Sequence, residues 1–162
     1  TGYTYNTTWP PGVKEAVEYG LFSVSHIPGN LYFLLFESPE AVRISEVSYV
    51  LRPPFLRASE WGMGIFYTSP IFLYIFASDL KKKLTFSSLI GTISGLIPSL
   101  TYAGVGVWQF GYRYALDVYP FLLVLLCLVL VKKGVSLLTK MAIVYSIAFN
   151  LYLLGSIWGI YP

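Results

Sequence analysis

Residues 115–131 read ALDVYPFLLVLLCLVLV and end at Lys132 and Lys133. A helix needs roughly 17–25 predominantly apolar residues to cross a bilayer, and this run meets that requirement with lysines at its edge. Working outward, three further runs have the same character. Residues 61–77 (WGMGIFYTSPIFLYIFA) stop at Asp79 and the triplet Lys81, Lys82, Lys83. Residues 84–105 follow directly, and residues 141–160 lie behind Lys140. Between positions 84 and 116 the only ionisable side chain besides tyrosines is Arg113. The whole chain of 162 residues is 56% hydrophobic and only 12% charged, with a mean hydropathy of +0.64. Average soluble domains carry about 25% charged residues, so water is not the main solvent here. The expected fold class is all-α: a polytopic integral membrane protein of about four transmembrane helices with an outer interfacial helical region. Residues 1–60 form the outer, membrane-associated segment and residues 61–162 the bundle.

Charge placement orients the bundle. If the four runs alternate, the lysine turns at 81–83 and 132–140 share one side, which holds six lysines and one acid, Asp79. The other side holds five basic and seven acidic residues, among them Arg113 and Asp117. The positive-inside rule puts the lysine turns in the cytoplasm, with the N-terminal segment and the C-terminus outside. The plasma membrane is the expected location. A net charge of +3 is too small to suggest a nucleic-acid partner.

The first sixty residues lack the basic start and clean apolar core of a signal peptide. Their opening without methionine reads as a processed protein or an excerpt of a longer one. Residues 13–24 fit a short amphipathic helix. Residues 30–36 (NLYFLLF) are too short to span and read as an interfacial or re-entrant helix. Arg52, Pro53 and Pro54 mark irregular backbone. Gly91 with Gly95, and Gly155 with Gly159, have the four-residue spacing that lets membrane helices approach closely. Pro70 and Pro98 each remove a backbone donor inside a run, so kinks are expected there.

Few side chains carry chemistry. One cysteine, Cys127, excludes an internal disulfide framework, and one histidine, His26, excludes an all-histidine metal site. Cys127 reads as a small hydrophobe and His26 as a hydrogen-bonded turn residue, with proton shuttling as its sharper alternative. Asn150 reads as interhelical glue. Asn6 begins a glycosylation triplet on the assigned outer side. Glu15, Glu18 and Glu60 are carboxylates near the membrane surface, the place for a general base in glycosyl transfer, but no paired motif singles one out. No phosphate-cradling glycine loop, HExxH or GxSxG motif is present, and no cofactor or catalytic residue is assigned from the residues.

The most informative stretch is residues 108–120, WQFGYRYALDVYP. The candidate site residues are Gln109, Tyr112, Arg113 and Asp117. Arg113 and Asp117 stand four apart, so on an α-helix they share a face and pair. One reading is an interfacial ion pair anchoring the third span. The other is an arginine positioned to hold a phosphate through its planar donor fork, with aromatic neighbours flanking an acyl chain, a prenyl chain or a sugar.

The order GMGIFYTSPIFLYIF, a basic turn, a span ending near Tyr102 and then WQFGYRYALDVYPFLLVLL resembles the C-terminal membrane portion of GT-C-like polytopic glycosyltransferases, including the dolichyl-phosphate-mannose mannosyltransferase-like proteins of prokaryotes. The upstream LFSVSHIPGNLYFLLFESPE resembles the stretch preceding those spans. The likeness covers about residues 20–131 and is most specific at QFGYRYALDVYPF. It implies a polyprenyl-phosphate-linked sugar donor, used with or without a divalent metal, and transfer on the outer membrane face. The catalytic carboxylate of that superfamily lies in a first outer loop that has no matching position here. By this resemblance Gln109, Tyr112 and Arg113 help hold the lipid phosphate. The rival reading is a non-catalytic integral membrane subunit that packs against other membrane subunits.

Overall fold

The computed structural model describes residues 18–106 and 109–157. Asn6, Glu15, Trp108, Gly159 and most of the amphipathic helix expected at 13–24 lie outside the described residues. The chain is mostly helical. A 3-10 turn, Val24–His26, leads into α1 (Ile27–Leu35), which has Pro28 in its first turn. Two short strands follow, β1 (Glu40–Arg43) and β2 (Leu51–Arg57). Next come α2 (Ile65–Thr68), a 3-10 segment Pro70–Ala77, and α3 (Lys83–Thr101). A 3-10 segment Arg113–Val118 runs straight into α4 (Tyr119–Lys133), and α5 (Leu137–Ile157) follows.

Three helical stretches are long and apolar enough to cross a membrane: Lys83–Thr101, Arg113–Lys133 and Leu137–Ser156. These fall where the second, third and fourth runs are expected. The expected first span, residues 61–77, is instead two short pieces. Proline disfavours the α conformation in the residue before it. Ser69 accordingly sits at φ −149, ψ 68, α2 stops at Thr68, and the chain restarts at Pro70 as a 3-10 helix. Even so, this broken segment runs the length of α4. Met63 bridges to Gly111 ahead of α4, and Asp79 pairs with Lys132 at its far end. It also contacts α5, so the broken segment packs against both α4 and α5.

The all-α expectation needs a second correction, a two-stranded antiparallel sheet in the N-terminal region. Residues 52–54 lie within β2 and are irregular there, as Arg52, Pro53 and Pro54 suggest: the Pro53–Pro54 peptide is cis and Phe55 has φ 66. Glu40 pairs with Arg57 and Ala41 with Leu56, but Arg43 pairs with Leu51. The two prolines therefore sit in a bulge, where a missing N–H costs no ladder bond.

Burial in the bundle is inverted relative to a soluble protein. α3 buries Thr85, Ser88 and Thr92, while Phe86, Ile90, Ile93 and Ile97 face outward. Bilayer tails reward apolar side chains on the outside, and small residues inside let backbones come close. Gly91 and Gly95 do this as their spacing suggests. A Cβ at Gly91 would lie 2.8 Å from the Phe121 ring, and one at Gly95 would lie 2.7 Å from Val118 Cγ1. α4 answers with Leu122, Leu125, Leu126 and Val129, one face at helical spacing. Asn150 reaches across from α5 and donates to the Thr68 carbonyl at 2.9 Å, at the end of α2, as interhelical glue should.

Candidate functional site

One end of the bundle carries the lysines. The other collects the C-terminus of α3, the loop before α4, and the turn into α1. At that end α3 leaves carbonyls that no further helical turn satisfies. Asn30, only 3% exposed, fills the gap. Its Nδ2 donates to the Leu100 and Tyr102 carbonyls, both at 2.8 Å, and lies 3.4 Å from the Ser99 carbonyl. The Tyr112 hydroxyl also donates to the Ser99 carbonyl, at 3.1 Å, and Ser99 Oγ donates to the Tyr114 carbonyl at 2.7 Å. Backbone bonds from Ser23 to Thr101 and from Ala103 to Leu21 close the seam. His26 is a hydrogen-bonded turn residue, its Nε2 2.8 Å from the Gly20 carbonyl oxygen.

The four residues singled out in the sequence separate into two pairs. Gln109 and Tyr112 are buried and structural. Gln109 Nε2 donates to the Trp61 and Val105 carbonyls at 2.6 Å each, and its Oε1 accepts the Arg113 N–H at 3.3 Å. It fits only because Gly62 and Gly106 flank it. Both have positive φ, and a Cβ on either would lie within 2.9 Å of the Gln109 side chain. Tyr112 is 4% exposed. Burial pushes its phenol up to about 12, with the neighbouring Tyr114 adding to the shift.

Arg113 and Asp117 are both exposed, and the expected ion pair between them is absent among the described residues. The reason is the 3-10 geometry of Arg113–Val118. With three residues per turn, positions three apart eclipse, and positions four apart diverge by about a third of a turn. The Arg113 guanidinium lies instead over the Tyr114 ring, 5.3 Å from its centroid. Tyr114 in turn lines an open aromatic recess of about 250 Å³ with Phe22, Pro98, Ser99 and Tyr102. Phe22, Tyr102, Tyr114 and Tyr112 make consecutive ring contacts at 5.5 to 5.9 Å. A cation beside a run of tilted and edge-on rings, next to a helix with an apolar outer face, is chemically suited to an anionic group carried on an apolar or sugar-bearing tail.

A second cleft, about 380 Å³, lies between the end of β2 and α5 and is lined by Arg57, Ser59, Glu60, Gln109 and Ser156 among others. Arg57 is committed there to Glu40, its cross-strand partner, at 2.7 Å. Ser59 Oγ donates to Glu37 at 2.9 Å. Glu60 is exposed at the mouth. Among the described residues no group of three or more His, Cys, Asp or Glu side chains is placed to hold a metal. The described residues by themselves therefore do not fit the divalent ion that the resemblance allows.

Asn30 is the residue that sequence reasoning missed. Its signal was available: a lone amide at the head of the apolar run NLYFLLF, directly after Pro28 and Gly29. The aromatic recess had no such signal, because Phe22 and Tyr114 come together only through the bridge between residues 22 and 102. No known protein family, curated protein or solved structure matches the chain.

Proposed function

We propose that this chain is the C-terminal membrane portion of a GT-C-like glycosyltransferase, and that Arg113 with its aromatic recess receives the phosphate of a polyprenyl-linked sugar donor. The carrying observation is the exposed Arg113 guanidinium. It makes no ion pair among the described residues and lies over Tyr114, a wall of the recess. In this reading the stretch most like the family, residues 109–121, supplies both the guanidinium and a ring. The phosphate meets Arg113, the sugar lies against Tyr102 and Tyr114, and the prenyl chain follows the apolar surface of α3. The general base comes from outside these residues. The lysine turns face the cytoplasm and the recess opens outside, with residues 61–77 as a fourth, broken crossing and residues 1–60 as the outer segment.

The test is binding of a polyprenyl-phosphate-linked sugar to the purified chain in detergent, read by native mass spectrometry. Charge-assisted hydrogen bonds contribute about 1.5–3 kcal/mol, so Arg113→Gln should weaken binding roughly tenfold to a hundredfold. Asp117→Asn should leave it unchanged. Equal affinity of the Arg113→Gln and native chains would refute the assignment.

A second reading, a non-catalytic subunit of a larger membrane complex, is favoured by the bare helix surfaces. Only 11% to 28% of each candidate span is buried within the protein. Under this reading, mild detergent extraction from native membranes yields the chain with a stoichiometric membrane partner, and the sugar-lipid does not bind.

A further inference from the structure

At the end of the bundle opposite the aromatic recess, six lysines gather from three places. Lys81 and Lys82 precede α3 and Lys83 opens it, Lys132 and Lys133 close α4, and Lys140 lies in the first turn of α5. All six are exposed. Their one acidic neighbour, Asp79, is already occupied. Its Oδ2 accepts from Lys132 Nζ at 3.1 Å, and its Oδ1 accepts the Lys81 N–H at 3.3 Å. The other five lysines make no ion pair among the described residues.

The placement of Lys81 to Lys83 is unfavourable for the protein alone. They crowd the N-terminus of a 19-residue helix, where the aligned peptide dipoles already present positive charge. That helix has no acidic residue in its first turn and no side-chain cap. An anion there would relieve both defects. Between this helix start and the end of α4 lies a shallow recess lined by Ser78, Asp79, Lys82, Thr85, Lys132 and Lys133. The recess itself, about 10 Å³, has room for no more than about one water, and Ser78 Oγ on its lining is buried without a hydrogen-bond partner, so an anion meets the lysines at the rim. Apolar surface continues from it: Leu84, Phe86 and Val131 are 57%, 54% and 87% exposed.

We propose that the exposed lysine rim of this recess holds the phosphate of an anionic phospholipid, with Lys82 and Lys133 as its main cationic contacts and the acyl chains lying against Leu84, Phe86 and Val131. The apolar apron is what distinguishes a lipid from a free phosphate, which would gain nothing from it. The site stands apart from the Arg113 recess and does not depend on the glycosyltransferase reading.

The experiment titrates the detergent-purified chain with phosphatidylglycerol or phosphatidylcholine and counts retained lipid by native mass spectrometry. Phosphatidylglycerol should be retained preferentially. A Lys82→Gln/Lys133→Gln double variant should lose roughly thirtyfold in affinity, given the usual contribution of a lysine at an anionic membrane surface. Arg52→Gln, in β2, should change nothing. In neutral detergent the double variant should unfold within a few degrees of the native temperature, because relief at the positive start of α3 offsets the loss of a cation at the negative end of α4; its binding loss is then not a folding loss. Equal retention of the two lipids, full affinity in the double variant, or displacement of the lipid by millimolar inorganic phosphate would each overturn the proposal.

Discussion

Replacing Asn30 is the sharpest perturbation available, because one small side chain closes the end of α3. Asn30 is 3% exposed and donates at 2.8 Å to the Leu100 and Tyr102 carbonyls. Asn30→Leu keeps the branched shape, with bulkier methyl ends, and removes both donors. A net hydrogen bond contributes about 1 kcal/mol, and a buried acceptor left without a partner costs about 1–3 kcal/mol. The expected loss is about 2–4 kcal/mol. If the α3 end behaves like an average interhelical polar contact in a membrane bundle, at about 0.6 kcal/mol per bond, the loss falls nearer 1 kcal/mol. Tyr112→Phe removes a single 3.1 Å bond to the Ser99 carbonyl and should cost about 1 kcal/mol, so it calibrates the scale. Asn30→Asp adds a sign test. A carboxylate facing carbonyl oxygens is disfavoured, so its folded-state pKa rises above the unfolded value near 3.9. The folded state then binds the extra proton, and stability falls as pH rises from about 4 to the raised pKa. The assay is thermal and denaturant unfolding in detergent, followed by tryptophan fluorescence between pH 4 and 8. Asn30→Leu as stable as the native chain to within about 0.5 kcal/mol, or Asn30→Asp with no pH slope beyond native, would refute the capping argument.

Two further perturbations follow from the packing and the charges. Gly95→Val places atoms where a Cβ alone would already lie 2.7 Å from Val118 Cγ1, so α3 and the 3-10 segment leading into α4 must separate; a loss of about 1–3 kcal/mol is expected in the same unfolding assay, whereas Ala103→Val, outside this interface, should be near neutral. Hydrogen bonding and charge from Lys132, with the Lys81 N–H, hold the Asp79 carboxyl below its ordinary range. Its contribution is therefore present above the unfolded carboxylate pKa and is lost as pH falls through the depressed value, so Asp79→Asn should flatten the acid limb of the stability profile below about pH 4.

The membrane character was legible in the sequence because it is written in local composition. Residues 115–131 are apolar whatever surrounds them, and the lysines stop each run independently of tertiary contacts. Gly91 and Gly95 were legible for the same reason, since four-residue spacing fixes a helix face before any partner is chosen. The failure at residues 61–77 was one of degree. Pro70 was visible, but only the structure decides between a kink and a break. It resolves as a break because Asn150 takes the Thr68 carbonyl from another helix, so no α-helical continuation is needed there. The small sheet escaped notice because two prolines argue against a strand, until a bulge removes their cost.

The candidate site divides along the same line. Residue type marked Arg113 as a group able to hold a phosphate and the stretch around it as informative. Its partner depended on helix geometry: an α-helix would have turned it to Asp117, and the 3-10 segment turns it to Tyr114 instead. Gln109 and Tyr112 carry polar groups that sequence alone leaves free for a ligand. The fold spends them on the carbonyls of residues 61, 99 and 105, because buried backbone acceptors must find donors wherever the chain brings them together. Composition and periodicity thus determined which stretches are long and apolar enough to cross a membrane and roughly where they end. Which polar groups remain open to a ligand was decided by the tertiary structure, because hydrogen-bond satisfaction is settled between residues far apart in the chain.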